Sequence, residues 1–206
     1  MKTEAVIFDL DGTLADSHKI HVDSYIIPLN KRGIYPEPED VLSKFGAFDY
    51  VIFKNFATNA TDAEIKRMIT ERNQVLLKEV NEIKKMPYSD ELLNFLKGKV
   101  KIGLASGTSG EVVNKTLEIL NWKKYFDAVT TGSEVSKSRP DPETLQLTLN
   151  KLNFLPTQCF YVGDTIYDVQ CAKNANIKII ALGDFKEADY IAKNLLDVKD
   201  ILKRFL

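Results

Sequence analysis

Asp9 and Asp11 stand two residues apart in AVIFDLDGTLADS, where an apolar run that reads as a buried strand ends. Strand side chains alternate faces, so the two carboxylates point the same way. At ~5.5 Å apart they repel by roughly 3 kcal/mol at an effective dielectric near 20, so the pair needs a compensating partner. Three more polar clusters follow. Ser106 and Thr108 lie in ASGTSGE, Lys137 and Arg139 in SKSRPDPE, and Asp164 and Asp168 in VGDTIYD. Each alone has a plainer explanation: Asp-Gly and Gly-Asp make turns, a serine at a strand-to-helix junction caps the helix, and loop cations are solvated. Together, each after a strand-like run, they describe one crevice with carboxylates, a hydroxyl at a helix start and a cation. Such a set suits a hard metal ion and an anionic substrate.

The elements that must position these groups alternate along the chain. Strand-like runs at 5–8, 100–105, 128–131, 160–162 and 178–182 are separated by helical patterns near 89–97, 110–120, 142–151 and 166–175, with one or two short helices near 186–204. This rhythm predicts an α/β fold, a Rossmann-like three-layer core with a parallel sheet, whose ligands bind beyond the carboxyl ends of the strands. Thr108 and Glu111 have capping-box spacing, and Asp141 is expected at an N-cap with Pro142 at the first helical position. From Ser17 to about Lys85 only helices are expected. Thr61 and Glu64 form another capping-box signal, after which Ile65, Met68, Ile69, Val75, Leu76, Val80 and Ile83 mark one helical face. A further helix from near Ser17 bends or ends at Pro28, with Gly33 beyond. The expected division is a core of residues 1–16 and 86–206 and a small all-helical cap domain of residues 17–85.

Composition excludes several functions. The 206 residues include 28 Lys and Arg against 29 Asp and Glu, a formal net charge of −1, so no basic surplus exists to bind nucleic acid. Cys159 and Cys171 lack C-x-x-C spacing and read as reduced, buried thiols of a cytoplasmic protein. With His18 and His21 the only histidines, a histidine-rich zinc site is excluded. Asp9 and Asp11 interrupt the first apolar run, so no secretion signal is expected, and no run approaches ~18 apolar residues, so no membrane span is expected. No G-x-x-x-x-G-K-[ST] loop points to a nucleotide kinase.

The order of the clusters adds a resemblance. DLDGT at residues 9–13, Ser106, the basic residue before PDP and GDTIYD at residues 163–168 resemble the four signature motifs of the haloacid dehalogenase superfamily. The likeness spans the chain and is to the phosphatase and phosphomutase branch, which inserts a small helical cap after the first motif. It implies a Mg²⁺-dependent phosphatase acting on a small phosphorylated metabolite of phosphoglycolate or sugar-phosphate type through an aspartyl-phosphate. Asp9 would be the nucleophile and Asp11 the general acid and base. Thr13, Ser106 and the backbone N–H groups of Gly107 and Thr108 would hold phosphate oxygens, with a cation from Lys137 or Arg139. Lysine usually stands immediately before the first proline of the third motif, where this chain has Arg139. Mg²⁺ would be held by Asp9, Asp164 and the backbone carbonyl of Asp11, with Asp168 bound directly or in support. Some members carry a histidine where His21 stands, in the hinge, able to orient substrate or Asp11; Lys44 and Gly46 lie where such caps present a substrate-facing loop. The same residues would also serve a sugar phosphomutase. A phosphorylated signalling receiver fits less well, since its acceptor aspartate lies deeper within a shorter chain.

Overall fold

The computed structural model describes residues 3–206. Strand β1 (Ala5–Phe8) and the two-residue β2 (Ala15–Asp16) lead into helices α1 (His18–Asn30), α2 (Pro38–Leu42), α3 (Asp49–Phe56) and α4 (Asp62–Glu79). After β3 (Lys84–Lys85) come α5 (Ser89–Leu96), β4 (Lys101–Ala105), α6 (Gly110–Ile119), β5 (Ala128–Thr130) and α7 (Glu143–Leu152). Then follow β6 (Cys159–Gly163), α8 (Ile166–Asn174), β7 (Lys178–Leu182), β8 (Tyr190–Ala192) and α9 (Leu195–Leu202).

Six of the strands form one parallel sheet in the order β5-β4-β1-β6-β7-β8, which makes β1 central. A parallel sheet is covered on both faces, and accordingly AVIF is apolar throughout and fully buried. Val6 and Phe8 join a cluster with Leu93 of α5, Val113 of α6 and Val198 of α9, whereas Ala5 and Ile7 join one with Leu145 of α7 and Val169 of α8. Full burial of a side chain such as Phe8 contributes roughly 1.5–3 kcal/mol. Helices, sheet and helices make the three-layer α/β architecture implied by the sequence, and the strands' carboxyl ends open toward one crevice.

The helices between β2 and β3 have an apolar cluster of their own, built around Tyr25, Leu29, Val41, Phe53, Ile65 and Met68. Helix α4 opens with a capping box: the Thr61 hydroxyl accepts from the Glu64 N–H, and the Glu64 carboxylate accepts from the Thr61 N–H at 2.7 Å. Its apolar face then divides. Ile65 and Met68 enter the helical cluster, while Leu76, with Val80 and Ile83 just beyond the helix, packs into the core of the sheet. Met68 is fully buried, so Met68→Ala is expected to cost about 2–5 kcal/mol in urea unfolding. A loss under about 1 kcal/mol would contradict this packing.

Four local expectations are corrected. Ala15 and Asp16 pair antiparallel with Lys85 and Lys84 where the chain leaves and re-enters the core, a ladder too short to have a periodicity. The stretch expected as helix from residue 186 contains edge strand β8, and α9 starts only after Asn194, whose side chain accepts from the N–H groups of Leu196 and Asp197. Asp141 is not the N-cap of α7: Pro142 holds that position, and Asp141 accepts from the Glu143 N–H at 3.0 Å. Ser109, not Thr108, is the N-cap of α6, because the Thr108 hydroxyl has another partner in the crevice. Among the described residues, no helix is long and apolar enough to cross a membrane.

Candidate active site

The chain turns sharply after β1. Gly12 has φ +83°, and a Cβ there would lie 2.0 Å from His18 Nε2 and 2.3 Å from Asp164 Oδ2, so both the backbone and the close approach require glycine. This turn leaves Asp9 and Asp11 at the crevice. Asp9 is only 4% exposed, and one oxygen from each of Asp9, Asp164 and Asp168 lies within 4.8 Å of the others. Burial pushes the Asp9 carboxyl well above its ordinary pKa against the pull of Arg139, with Asp168, Asp164 and Asp11 adding to the rise. Asp164 is also raised by burial, despite the opposing hydrogen bond from His18.

Neighbouring groups lock the other carboxylates in place. Thr165 and Asp168 form the capping box of α8, with Asp168 Oδ2 accepting from the Thr165 hydroxyl at 2.6 Å and its N–H at 2.9 Å. Asp168 Oδ1 accepts from the Tyr161 hydroxyl at 2.6 Å and lies 2.7 Å from Arg139 Nη1. Asp164 Oδ1 accepts from the Thr13 hydroxyl at 2.6 Å, and Asp164 Oδ2 lies 3.2 Å from His18 Nε2. Arg139 Nη2 donates to Asp9 Oδ1 at 2.6 Å and to the Ala105 carbonyl at 2.7 Å. Burial would lower the guanidinium's pKa, but Asp168 and Asp9 outweigh it and raise it well above its ordinary value.

Asp11 has a different environment. Its Oδ1 accepts from the Ser17 hydroxyl at 2.8 Å and faces His21 Nε2 at 2.9 Å, while Oδ2 accepts from the Thr108 hydroxyl at 2.8 Å. Burial pushes Asp11 up, yet the His21 imidazole and the two hydroxyls overcome it and hold the carboxyl well below the usual range. Arg72 Nη2 lies 3.1 Å from His21 Nδ1. A guanidinium can only donate, so Nδ1 accepts and Nε2 carries the hydrogen directed at Asp11. Arg72 comes from α4, lies 4.4 Å from the Tyr25 ring centroid and pairs with Asp49 Oδ2 at 3.3 Å. A polar chain thus runs from Asp49 through Arg72 and His21 to Asp11.

Asp9, Asp11, His21, Gly107, Thr108 and Arg139 line one cavity of about 70 Å³. The remaining expected residues lie differently. Lys137 is not in the cavity: Glu143 accepts the N–H groups of Ser136 and Lys137, and the Lys137 side chain, 67% exposed, lies 3.3 Å from Asp141. Thr13 is buried with its hydroxyl on Asp164. Ser106 is fully buried and accepts the Thr108 N–H at 3.1 Å, which occupies a donor expected to face phosphate. Lys44 does not line the cavity, although Phe45 and Gly46 beside it do. Gly46, at φ +103°, fits against Tyr167 of α8, where a Cβ would approach the ring to 2.8 Å.

His18, Tyr25, Asp49, Arg72, Tyr161 and Thr165 are site residues that the sequence reading missed. Two had a visible signal. Arg72 stands between Met68 and Leu76 in the apolar stripe of α4, and Thr165 precedes Asp168 at capping-box spacing. The carboxylate cluster also passes a chemical test for a metal. Its donors are all oxygen and their like charges exceed what Arg139 balances, the donor set of a hard divalent cation. The thiols are unsuited to that role: burial pushes Cys159 and Cys171 up to about 12.

Known proteins resemble this chain in sequence and in fold. Pyrophosphatase PpaX of Bacillus velezensis is 28% identical over 214 residues, covering 97% of this chain and 96% of that protein. A phosphorylated carbohydrates phosphatase of Thermotoga maritima is 29% identical over 183 residues, 86% of this chain and 83% of its own. The crystal structure of a beta-phosphoglucomutase from Clostridium difficile shares the fold at a TM-score of 0.89 and 23% identity, covering 98% of this chain and 97% of that one. The family model for haloacid dehalogenase-like hydrolases matches residues 6–182, most of the sequence, and the chain belongs to that family.

Proposed function

We propose that the protein is a Mg²⁺-dependent phosphatase that hydrolyses a small phosphorylated metabolite through an aspartyl-phosphate on Asp9. The observation carrying this reading is the different treatment of two neighbouring acids. Asp9 lies with Asp164 and Asp168 against Arg139, whereas Asp11 is set apart among Ser17, Thr108 and His21. The names of the two curated relatives, a pyrophosphatase and a phosphorylated carbohydrates phosphatase, support phosphate chemistry and differ on the leaving group.

In this reading Asp9, Asp164 and the backbone carbonyl of Asp11 hold Mg²⁺, with Asp168 in support through Arg139 and Thr165. When bound, the ion supplies positive charge for the carboxylates and for the phosphoryl oxygens. Arg139 orients the Asp9 carboxylate, one oxygen of which attacks phosphorus as the bond to the leaving oxygen breaks. Asp11 gives that leaving oxygen a proton. A phosphoryl dianion nearby favours the protonated acid before transfer, and the surrounding donors favour the carboxylate after it. Asp11 then takes a proton from the water that attacks the aspartyl-phosphate, releasing inorganic phosphate and restoring Asp9. His21, fixed by Arg72, links this acid to the helices of residues 17–85, which we propose act as a cap that excludes bulk water from a core of residues 1–16 and 86–206.

The test is phosphate release from a panel of phosphorylated metabolites with Mg²⁺. Turnover is expected with Mg²⁺ and its loss with a chelator, reversed by added Mg²⁺. Full activity in chelator would contradict the metal's part in the reading.

A further inference from the structure

Resting on that phosphatase reading, we infer that Asp49 makes the site select monophosphates with an uncharged, hydroxyl-bearing leaving group. It disfavours substrates with a second anionic group, as in diphosphates, bisphosphates and phosphorylated acids. Among the described residues, Asp49 and Arg72 are the Asp, Glu, Lys or Arg side chains that the segment 17–85 contributes to the cavity wall. They compensate each other: Arg72 Nη1 lies 3.3 Å from Asp49 Oδ2, and the Tyr25 hydroxyl donates to Asp49 Oδ1 at 2.5 Å. Arg72 Nη2 is engaged by His21, and both terminal nitrogens of Arg139 are engaged by Asp9 and Asp168.

Once the transferring phosphoryl group lies at Asp9, the cavity therefore has no uncompensated arginine for a second anion. Such an anion would meet the carboxylates of Asp49 and Asp11, and like-charge contacts of this kind reject a ligand. A hydroxyl group has what the wall does accommodate. Asp49 offers acceptor oxygens, its side chain 30% exposed, and Arg72 Nε is a buried donor with no protein acceptor. A hydroxyl both gives and takes a hydrogen bond, so it fits this neutral pair. The same balance opposes a mutase cycle through a sugar bisphosphate. The small cavity limits the leaving group further.

Steady-state kcat/KM measured with Mg²⁺ on two groups of substrates tests the inference. One group is glycerol and hexose monophosphates; the other is pyrophosphate, phosphoglycolate and a hexose bisphosphate. Wild type is expected to favour the first group by about tenfold or more, and Asp49→Asn, which leaves the Arg72 charge uncompensated, to shift the ratio toward the second by at least about tenfold. Wild-type preference for the second group would overturn the role of Asp49 while leaving the phosphatase reading intact. An Asp49→Asn protein that is folded by circular dichroism but loses activity on both groups in equal proportion would also overturn it. No phosphate release from any compound would overturn both readings.

Discussion

Asp9→Asn is expected to lower phosphate release by at least about 10⁴-fold while leaving the fold intact. The reason is chemical. A carboxamide oxygen carries no full negative charge, so the bond to phosphorus cannot form at a useful rate, and the two-step route through a covalent intermediate is closed. The substitution keeps the volume of the side chain and an acceptor for Arg139, whose Nη2 lies 2.6 Å from Asp9 Oδ1. It also removes a carboxyl that burial and three neighbouring aspartates push above its ordinary pKa. The thermal midpoint in metal-free buffer should therefore be no lower than that of wild type. Phosphate release within tenfold of wild type by a folded Asp9→Asn protein would contradict the assignment.

Asp11→Asn has the second-largest expected effect, about 10²–10⁴-fold in steady-state turnover of alkyl phosphates. Its signature depends on the leaving group. An aryl phosphate with an acidic phenol needs no proton on the departing oxygen, so transfer to Asp9 should proceed in the variant. Removal of the phosphoryl group still needs a base for water, so aryl alcohol should appear in a burst equal to the enzyme present, followed by slow turnover. Asparagine retains an acceptor for Ser17 and His21, which lie 2.8 and 2.9 Å from Asp11 Oδ1 in wild type. Stopped-flow absorbance measures both phases. Equal losses on alkyl and aryl phosphates, with no burst, would reduce Asp11 to a group that only positions its neighbours.

The sequence revealed the core of this site because the relevant signals are local. AVIF is one uninterrupted apolar run, and its strand ends at Asp9; VGD and the following helix read in the same way. The choice between Lys137 and Arg139 was not legible. It depends on Glu143 accepting two backbone N–H groups of the loop, which leaves Lys137 outside and Arg139 buried. Thr13 and Ser106 were expected at the site, but their partners were not legible, since Asp164 is 151 positions from Thr13 and Asp11 is 95 from Ser106. The contribution of the helical insertion was hidden for the same reason. Arg72 reaches His21 across 51 residues, and a buried arginine on an apolar stripe gives no hint of which acid or base it meets. Short elements such as β2, β3 and β8 have too few residues for a period to emerge.

The central claim is that one carboxylate, Asp9, carries the phosphoryl group. Rapid acid quench of the enzyme during turnover, followed by peptide mass spectrometry, reads this directly. The account predicts one hydroxylamine-labile phosphoryl group on the peptide containing Asp9, more abundant in Asp11→Asn and absent in Asp9→Asn. Sustained phosphate release with no phosphoryl group on that peptide, or with one on another residue, would contradict it.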